Sequence, residues 1–258
     1  PNTEWTITRA LAQIAYAGRR GADLGVLPSL FCFRPGEEAA DPAAAAELSA
    51  QVLERLAKAC ADAGLWVVAH LVEEDAGRYY STAYLLDRAG RVAHTYRKTH
   101  LNSAERKWAV PGDRIDVAHT EIGTIGLMVG DEVWVPEVAR LLTLAGAEVI
   151  AHPTDWRVPE AAHVAATERT EENRVHLVSC TRLDSPADVG SQVVRADEFA
   201  PGQPIALMRY PTGYWSRPGF EEQLLVDLDL RESHSKMMGH HLDPVATRAP
   251  ELYGMFLD

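Results

Sequence analysis

The sequence predicts a layered α/β domain, and three observations carry that prediction. Amphipathic helical periods alternate with short, wholly apolar strands through the first two thirds of the chain, and strands dominate afterwards. No proline-, glycine- or serine-rich linker interrupts the pattern, and no repeat or low-complexity block appears. The 258 residues, 47% of them hydrophobic and 24% charged, suffice for one substantial core. Pattern alone does not separate a doubly wound sheet from a four-layer αββα sandwich.

The elements follow in order. Ile7, Leu11, Ile14 and Ala15 share one helical face, with Asn2 or Thr3 as N-cap and Gly18/Gly21 closing the helix. Asp23 to Pro28 reads as a buried strand. A second helix runs from Asp41 to Gly64 on the stripe Leu48, Val52, Leu53, Leu56 and Cys60, with Gly64 as its C-terminal cap. Leu65–Val72 is a further buried strand. Tyr80–Asp87 and Val92–Arg97 flank the turn Arg88-Ala89-Gly90 as a hairpin. Ile122–Val129 is a strand that passes through Gly130 into a helix entered near Pro136 and ended before Gly146. A short strand at Val149–Ala151 and a helix at Glu160–Glu172 come next. Strands are expected at Val175–Cys180, Gln192–Val194, Ile205–Arg209 and Leu224–Leu228, with an irregular tail.

Composition excludes several functions. The formal net charge is −12, with no basic block or stripe, so nucleic acid is not an expected partner. No apolar run approaches the roughly 18–20 residues that span a bilayer. Three cysteines suggest no disulfide framework, and a reducing cytoplasm is the simplest setting. His234, His240 and His241 fall in a loop without metal-ligand spacing; no metal or cofactor is expected. Asp227 and Asp229 alternate as the solvent face of a strand.

The segment GLMVGDEVWVPE (Gly126–Glu137) is the most informative. Strand–turn–helix is where α/β hydrolytic enzymes place a nucleophile beside helix N-terminal amides. It resembles the nucleophile motif of the nitrilase, or carbon–nitrogen hydrolase, superfamily. Pro136 and Glu137 match and Glu132 supplies the acid, but Gly130 stands at the cysteine position. Four further segments resemble that family in its order: GADLGVLPSLF (Gly21–Phe31), YRKTHL (Tyr96–Leu101), ERTEENRVHLVSCTR (Glu168–Arg182) and TRAPELYG (Thr247–Gly254).

The resemblance implies the αββα sandwich, commonly paired into dimers, and cleavage of non-peptide C–N bonds in amides, nitriles and carbamoyl compounds. It implies Lys98 as the lysine of the catalytic set and Glu105 as its second glutamate. Ser29 stands at the position of the general base and Gly130 at that of the nucleophile. Asp131 stands where the family usually carries an aromatic. Asp131, Glu132, Trp134 and Trp156 are candidate ligand contacts, and His152-Pro153-Thr154 resembles a pocket wall.

Two readings follow. In the first, the domain has lost hydrolysis and serves assembly or small-molecule binding. Its partners would be an amide- or nitrile-like ligand and a second copy, or a catalytic hydrolase domain in the same polypeptide. In the second, the nucleophile has moved to Cys32, Cys180 or Ser29, while Cys60 is inert core. A purely structural variant of the first has the pocket filled by side chains. The resemblance also implies a strand ahead of the first helix. Here the helix begins around Thr3, so the expectation is one domain over residues 1–258, cut from a longer chain.

Overall fold

The computed structural model describes residues 2–196, 212–238 and 242–256. Its sheet strands, in chain order, are β1 Leu24–Ser29, β2 Trp66–Asp75, β3 Arg78–Leu86, β4 Val92–Arg97, β5 Val117–Thr120, β6 Gly123–Leu127, β7 Val149–Pro153, β8 His176–Cys180, β9 Gln192–Arg195 and β10 Thr212–Trp215. The helices are α1 Thr3–Arg19, α2 Glu37–Ala40, α3 Pro42–Ala63, α4 Pro136–Leu144 and α5 Ala166–Asn173, the last preceded by a π-helical turn at Ala161–Ala165.

The strands form two sheets, one in the order β1-β2-β3-β4 and one in the order β10-β9-β8-β7-β6-β5. Alternation along each strand builds the layers. Val68 and Leu85 of the first sheet meet Ile125, Leu127, Val149 and Ala151 of the second in an inner core. The opposite face of β2 (Val67, Ala69, Leu71) packs under α1 and α3. The outer face of the second sheet packs Ile150 and Leu177 against Val138, Ala139 and Leu142 of α4 and Ala166 of α5. The order helix, sheet, sheet, helix is the four-layer αββα sandwich, which pattern alone left open.

Local chemistry explains the element ends. The Asn2 side chain accepts the Trp5 amide and caps α1. The buried stripe of that helix is Ile7, Ala10, Ile14 and Ala17; Ala15, expected on it, is exposed. Gly18 is no helix end. A Cβ there would lie 2.6 Å from the Ala63 carbonyl oxygen, so the glycine lets α1 approach α3 closely. Asp41 caps α3 on the Ala44 amide, and Gly64 ends it at φ +62°.

One expectation needs correction, one strand has an added partner, and one segment is not described. The strand expected over Ile122–Val129 is β6, Gly123–Leu127, and it is also the second arm of a β5–β6 hairpin turning at Glu121-Ile122. Leu224–Leu228 forms no ladder, because none of the described strands runs alongside it; its residues still alternate half-buried and exposed, with Asp227 and Asp229 outward. Ile205–Arg209, with His240 and His241, lies outside the described residues. No helix among the described residues is long and apolar enough to cross a membrane.

Candidate functional site

The ends of β1, β4, β6 and β7 converge on one small polar cluster in an otherwise apolar interior. Lys98 follows β4 directly, its amide donating to the Ser81 carbonyl at 2.8 Å and its carbonyl accepting from Gly112 at 2.9 Å. With its backbone held on both sides, the side chain runs inward and is 2% exposed. Its Nζ lies 2.7 Å from both Oε1 and Oε2 of Glu105.

Asn102 sets Glu105 in place. Its Oδ1 accepts the amides of Ala104 (2.9 Å) and Glu105 (3.0 Å), which forms the short 3-10 turn Glu105–Lys107. Its own amide donates to Glu105 Oε2 at 2.9 Å, and its Nδ2 donates to Asp131 Oδ2 at 2.7 Å.

Gly130 opens the turn after β6 at φ +53°, a conformation that favours glycine. A Cβ built on it meets only Lys98 Nζ, at 3.6 Å. A side chain at this position would therefore begin in ordinary van der Waals contact with the lysine ammonium. The Gly130 carbonyl accepts from His152 Nε2 at 2.9 Å, which leaves Nδ1 to accept from the Ser179 hydroxyl at 3.0 Å. Burial drives the His152 pKa down to about 4, so the ring is neutral at physiological pH.

Ser29 ends β1 opposite His70 in the β1–β2 ladder. Its Oγ lies 2.8 Å from His70 Nδ1, and His70 Nε2 lies 2.8 Å from Ser81 Oγ. A neutral imidazole has one donor and one acceptor nitrogen, so one serine donates to the ring and the other accepts from it. Burial first, then the Lys98 charge, pushes the His70 pKa down to about 3. The next residue, Leu30, is held at φ +44°, which ends the strand sharply.

The four positions implied by resemblance thus share one cluster, with Asp131 half-buried at its edge. Of the other candidate contacts, Glu132 and Trp156 are buried and Trp134 lies at the surface. Glu132 is fully buried and accepts five hydrogen bonds: from Tyr96 Oη, the Thr99 amide and hydroxyl, and the amides of His100 and Val129. Burial alone would raise its pKa; the His100 hydrogen bond, the Lys98 charge and the Tyr96 and Val129 donors hold it below the usual carboxylate value. It ties the Gly130 turn to the Tyr96–His100 segment. Trp156, 2% exposed, packs its ring edge-on 5.3 Å from His152 and donates to the Gly190 carbonyl. Trp134 is exposed.

Desolvation disfavours the thiolate at both candidate thiols. Burial pushes Cys32 up to about 12 and Cys180 up to about 11, so both remain thiols at neutral pH. Cys60 is buried in the α3 stripe and is pushed up to about 12. No group of three histidine, cysteine or carboxylate side chains among the described residues could hold a metal ion. His234 bonds Glu148 at 2.6 Å.

Sequence reasoning missed His70 and Asn102. His70 left one signal, an imidazole inside the apolar run Trp66–Val72, where a strand buried on both faces has no solvent for a polar ring. Asn102 left none, since its role arises from a turn that carries no distinctive residue pattern.

An αββα sandwich with a lysine–glutamate pair behind a strand–turn–helix defines the class of nitrilase-fold proteins. The chain matches the carbon-nitrogen hydrolase family over residues 1–191 and belongs to it. It is 32% identical over 182 residues to a nitrilase of Pyrococcus abyssi, covering 68% of each chain. In structure it is similar to a carbon-nitrogen hydrolase from Helicobacter pylori at TM-score 0.81 and 20% identity, covering 100% of this chain and 94% of the other. It is also similar to a cysteine-to-alanine variant of an amidase from Nesterenkonia in complex with butyramide. That match has TM-score 0.71 and 25% identity, covering 84% of this chain and 83% of the other.

Proposed function

We propose that this domain has exchanged C–N hydrolysis for non-covalent binding of a small amide- or nitrile-like ligand, and acts in assembly beside a second copy or a catalytic hydrolase domain. One observation carries the reading: Gly130 offers no atom to attack a carbonyl or nitrile carbon, and a Cβ in its place would only touch Lys98 Nζ at 3.6 Å. Without a covalent step the lysine has no developing anion to stabilise, and Glu105 neutralises it at 2.7 Å. Ser29 offers a neutral hydroxyl where the family carries a base. The Nesterenkonia variant, which holds butyramide after conversion of a cysteine to alanine, supports binding of an amide at such a site without that cysteine.

One observation favours a second reading, an active hydrolase with a displaced nucleophile. The 2.8 Å contact between Ser29 Oγ and His70 Nδ1 gives Ser29 the base partner that the thiols lack. The depressed basicity of His70 counts against it.

The test is incubation with butyramide, a nitrile and a carbamoyl compound, with ammonia and intact mass followed together. No ammonia, no adduct and saturable binding of butyramide are expected. Ammonia release that vanishes in Ser29→Ala would establish the second reading and end the first.

A further inference from the structure

Lys98, Arg157 and Arg182 bring positive charge to the polar cluster, and each is already matched to a carboxylate. Lys98 Nζ holds both oxygens of Glu105 at 2.7 Å. Arg157 lies 3.1 Å from Asp155, and Arg182 grips Asp184 through Nε at 2.7 Å and Nη2 at 2.9 Å. A protonated His100 would be spent on the buried Glu132, 3.7 Å away. His70 and His152 are neutral, and Arg106 and Lys107 are exposed.

Asp131 has no such match. It follows Gly130 directly, is half-buried, and forms no ion pair with any described residue. Asn102 Nδ2 donates to its Oδ2 at 2.7 Å, and its Oδ1 accepts no hydrogen bond from the described residues. A side-chain amide cannot cancel that charge. Asn102 also gives its backbone amide to Glu105 Oε2, so one residue holds the Asp131 carboxylate beside the Lys98–Glu105 pair.

Neighbouring carboxylates feel the excess. Burial raises the Asp155 pKa above the usual range; Arg157 pulls it back, and the Asp131 charge pushes it up again. Glu38, half-buried and without an ion pair among the described residues, is raised by burial and further by Glu105, against Arg182. A partly buried site with carboxylates to spare gains by taking up a positive charge, and the attraction there is less screened than on an open surface.

We propose that the ligand of the Lys98 site carries a positive charge of its own: a short aliphatic amide ending in a protonated amine, with the amide at Gly130 and Lys98 and the ammonium donating to Asp131 Oδ1. This rests on reading the cluster as an amide-binding site, and it names the class of amide.

Three probes of similar size separate the possibilities at pH 7 and low ionic strength. They are 4-aminobutyramide, its neutral isostere pentanamide, and succinamate, which carries a carboxylate in place of the amine. Binding to the full chain is read by calorimetric titration. 4-Aminobutyramide is expected to bind about tenfold more tightly than pentanamide, with succinamate the weakest. Asp131→Asn should bring the ratio of the first two close to unity. Asp227→Asn removes the same charge from an exposed position and should leave that ratio as it was. Pentanamide or succinamate binding as tightly as 4-aminobutyramide would overturn this inference and leave the binding reading standing. A preference that survives Asp131→Asn would do the same. No binding of any of the three would overturn both.

Discussion

The Ser29 hydroxyl lies 2.8 Å from Nδ1 of His70, inside an interior where that ring is fully buried and neutral. His152 repeats the arrangement with Gly130 and Ser179. Two imidazoles thus sit where charging them is costly, and stability acquires a pH dependence. Both folded-state pKa values, about 3 and about 4, lie below the unfolded value near 6.5. The unfolded chain binds more protons in between, so this stability is complete above about pH 6.5 and is lost as pH falls toward 4. Each group contributes a slope of about 1.4 kcal/mol per pH unit. Urea midpoints measured from pH 7 to 5 are expected to fall steadily, and His152→Asn should flatten that fall. An unchanged slope in the variant would refute the assignment.

The Lys98–Glu105 pair predicts an asymmetric response. Lys98 is 2% and Glu105 13% exposed, so removing one partner strands a poorly solvated charge. Lys98→Met is expected to cost about 3–5 kcal/mol in denaturant unfolding. Combining it with Glu105→Leu should recover most of that loss, because replacing both charges with apolar groups is often neutral. Additive losses in the double variant would show that the pair does not act as a unit.

Gly130→Cys tests the empty position. The φ of +53° strains any L side chain, at about 1–2 kcal/mol, but the new Cβ meets no atom closer than Lys98 Nζ at 3.6 Å. A thiol beside that ammonium should ionise more readily than an ordinary one. Iodoacetamide at pH 7 is expected to label Cys at 130 while Cys32 and Cys180 stay unmodified. Ammonia release should need the further change Ser29→Glu, which restores a carboxylate base. Turnover by the single variant would show that His70 already serves as the base.

Glu132→Gln leaves the shape intact and removes the charge. Five donors then face a neutral amide, one end of which is itself a donor, and charge-assisted bonds are lost. A loss of about 2–3 kcal/mol is expected. Hydrogen exchange should quicken in both the Gly130–Trp134 turn and residues 96–100, since this carboxylate joins them. Quickening in only one of the two would argue against that coupling.

Most of the fold was legible because each helix and inner strand carries its own period. The caps at Asn2, Asp41 and Gly64 are local chemistry. The β5–β6 hairpin and the unladdered Leu224–Leu228 were not legible, since a short apolar run reads the same whether or not a neighbour pairs with it. The cluster members Lys98, Glu105, Ser29 and Gly130 were legible through motif order. The hydrogen bonds of Glu132 and the burial of Trp156 were not legible, because acid and aromatic residues beside a pocket look alike in sequence whether they face it or support it.

The sequence by itself determined the order of helices and strands, the absence of a side chain at Gly130 and of a carboxylate at Ser29. Those are properties of single residues and local periods. Tertiary structure decided that His70 meets Ser29, that Glu132 faces five donors, and that Cys32 is buried and Cys180 half-buried, with both thiols pushed up in pKa by desolvation. Each depends on strand register and desolvation between segments distant in the chain, and neither quantity is written in any local stretch of residues.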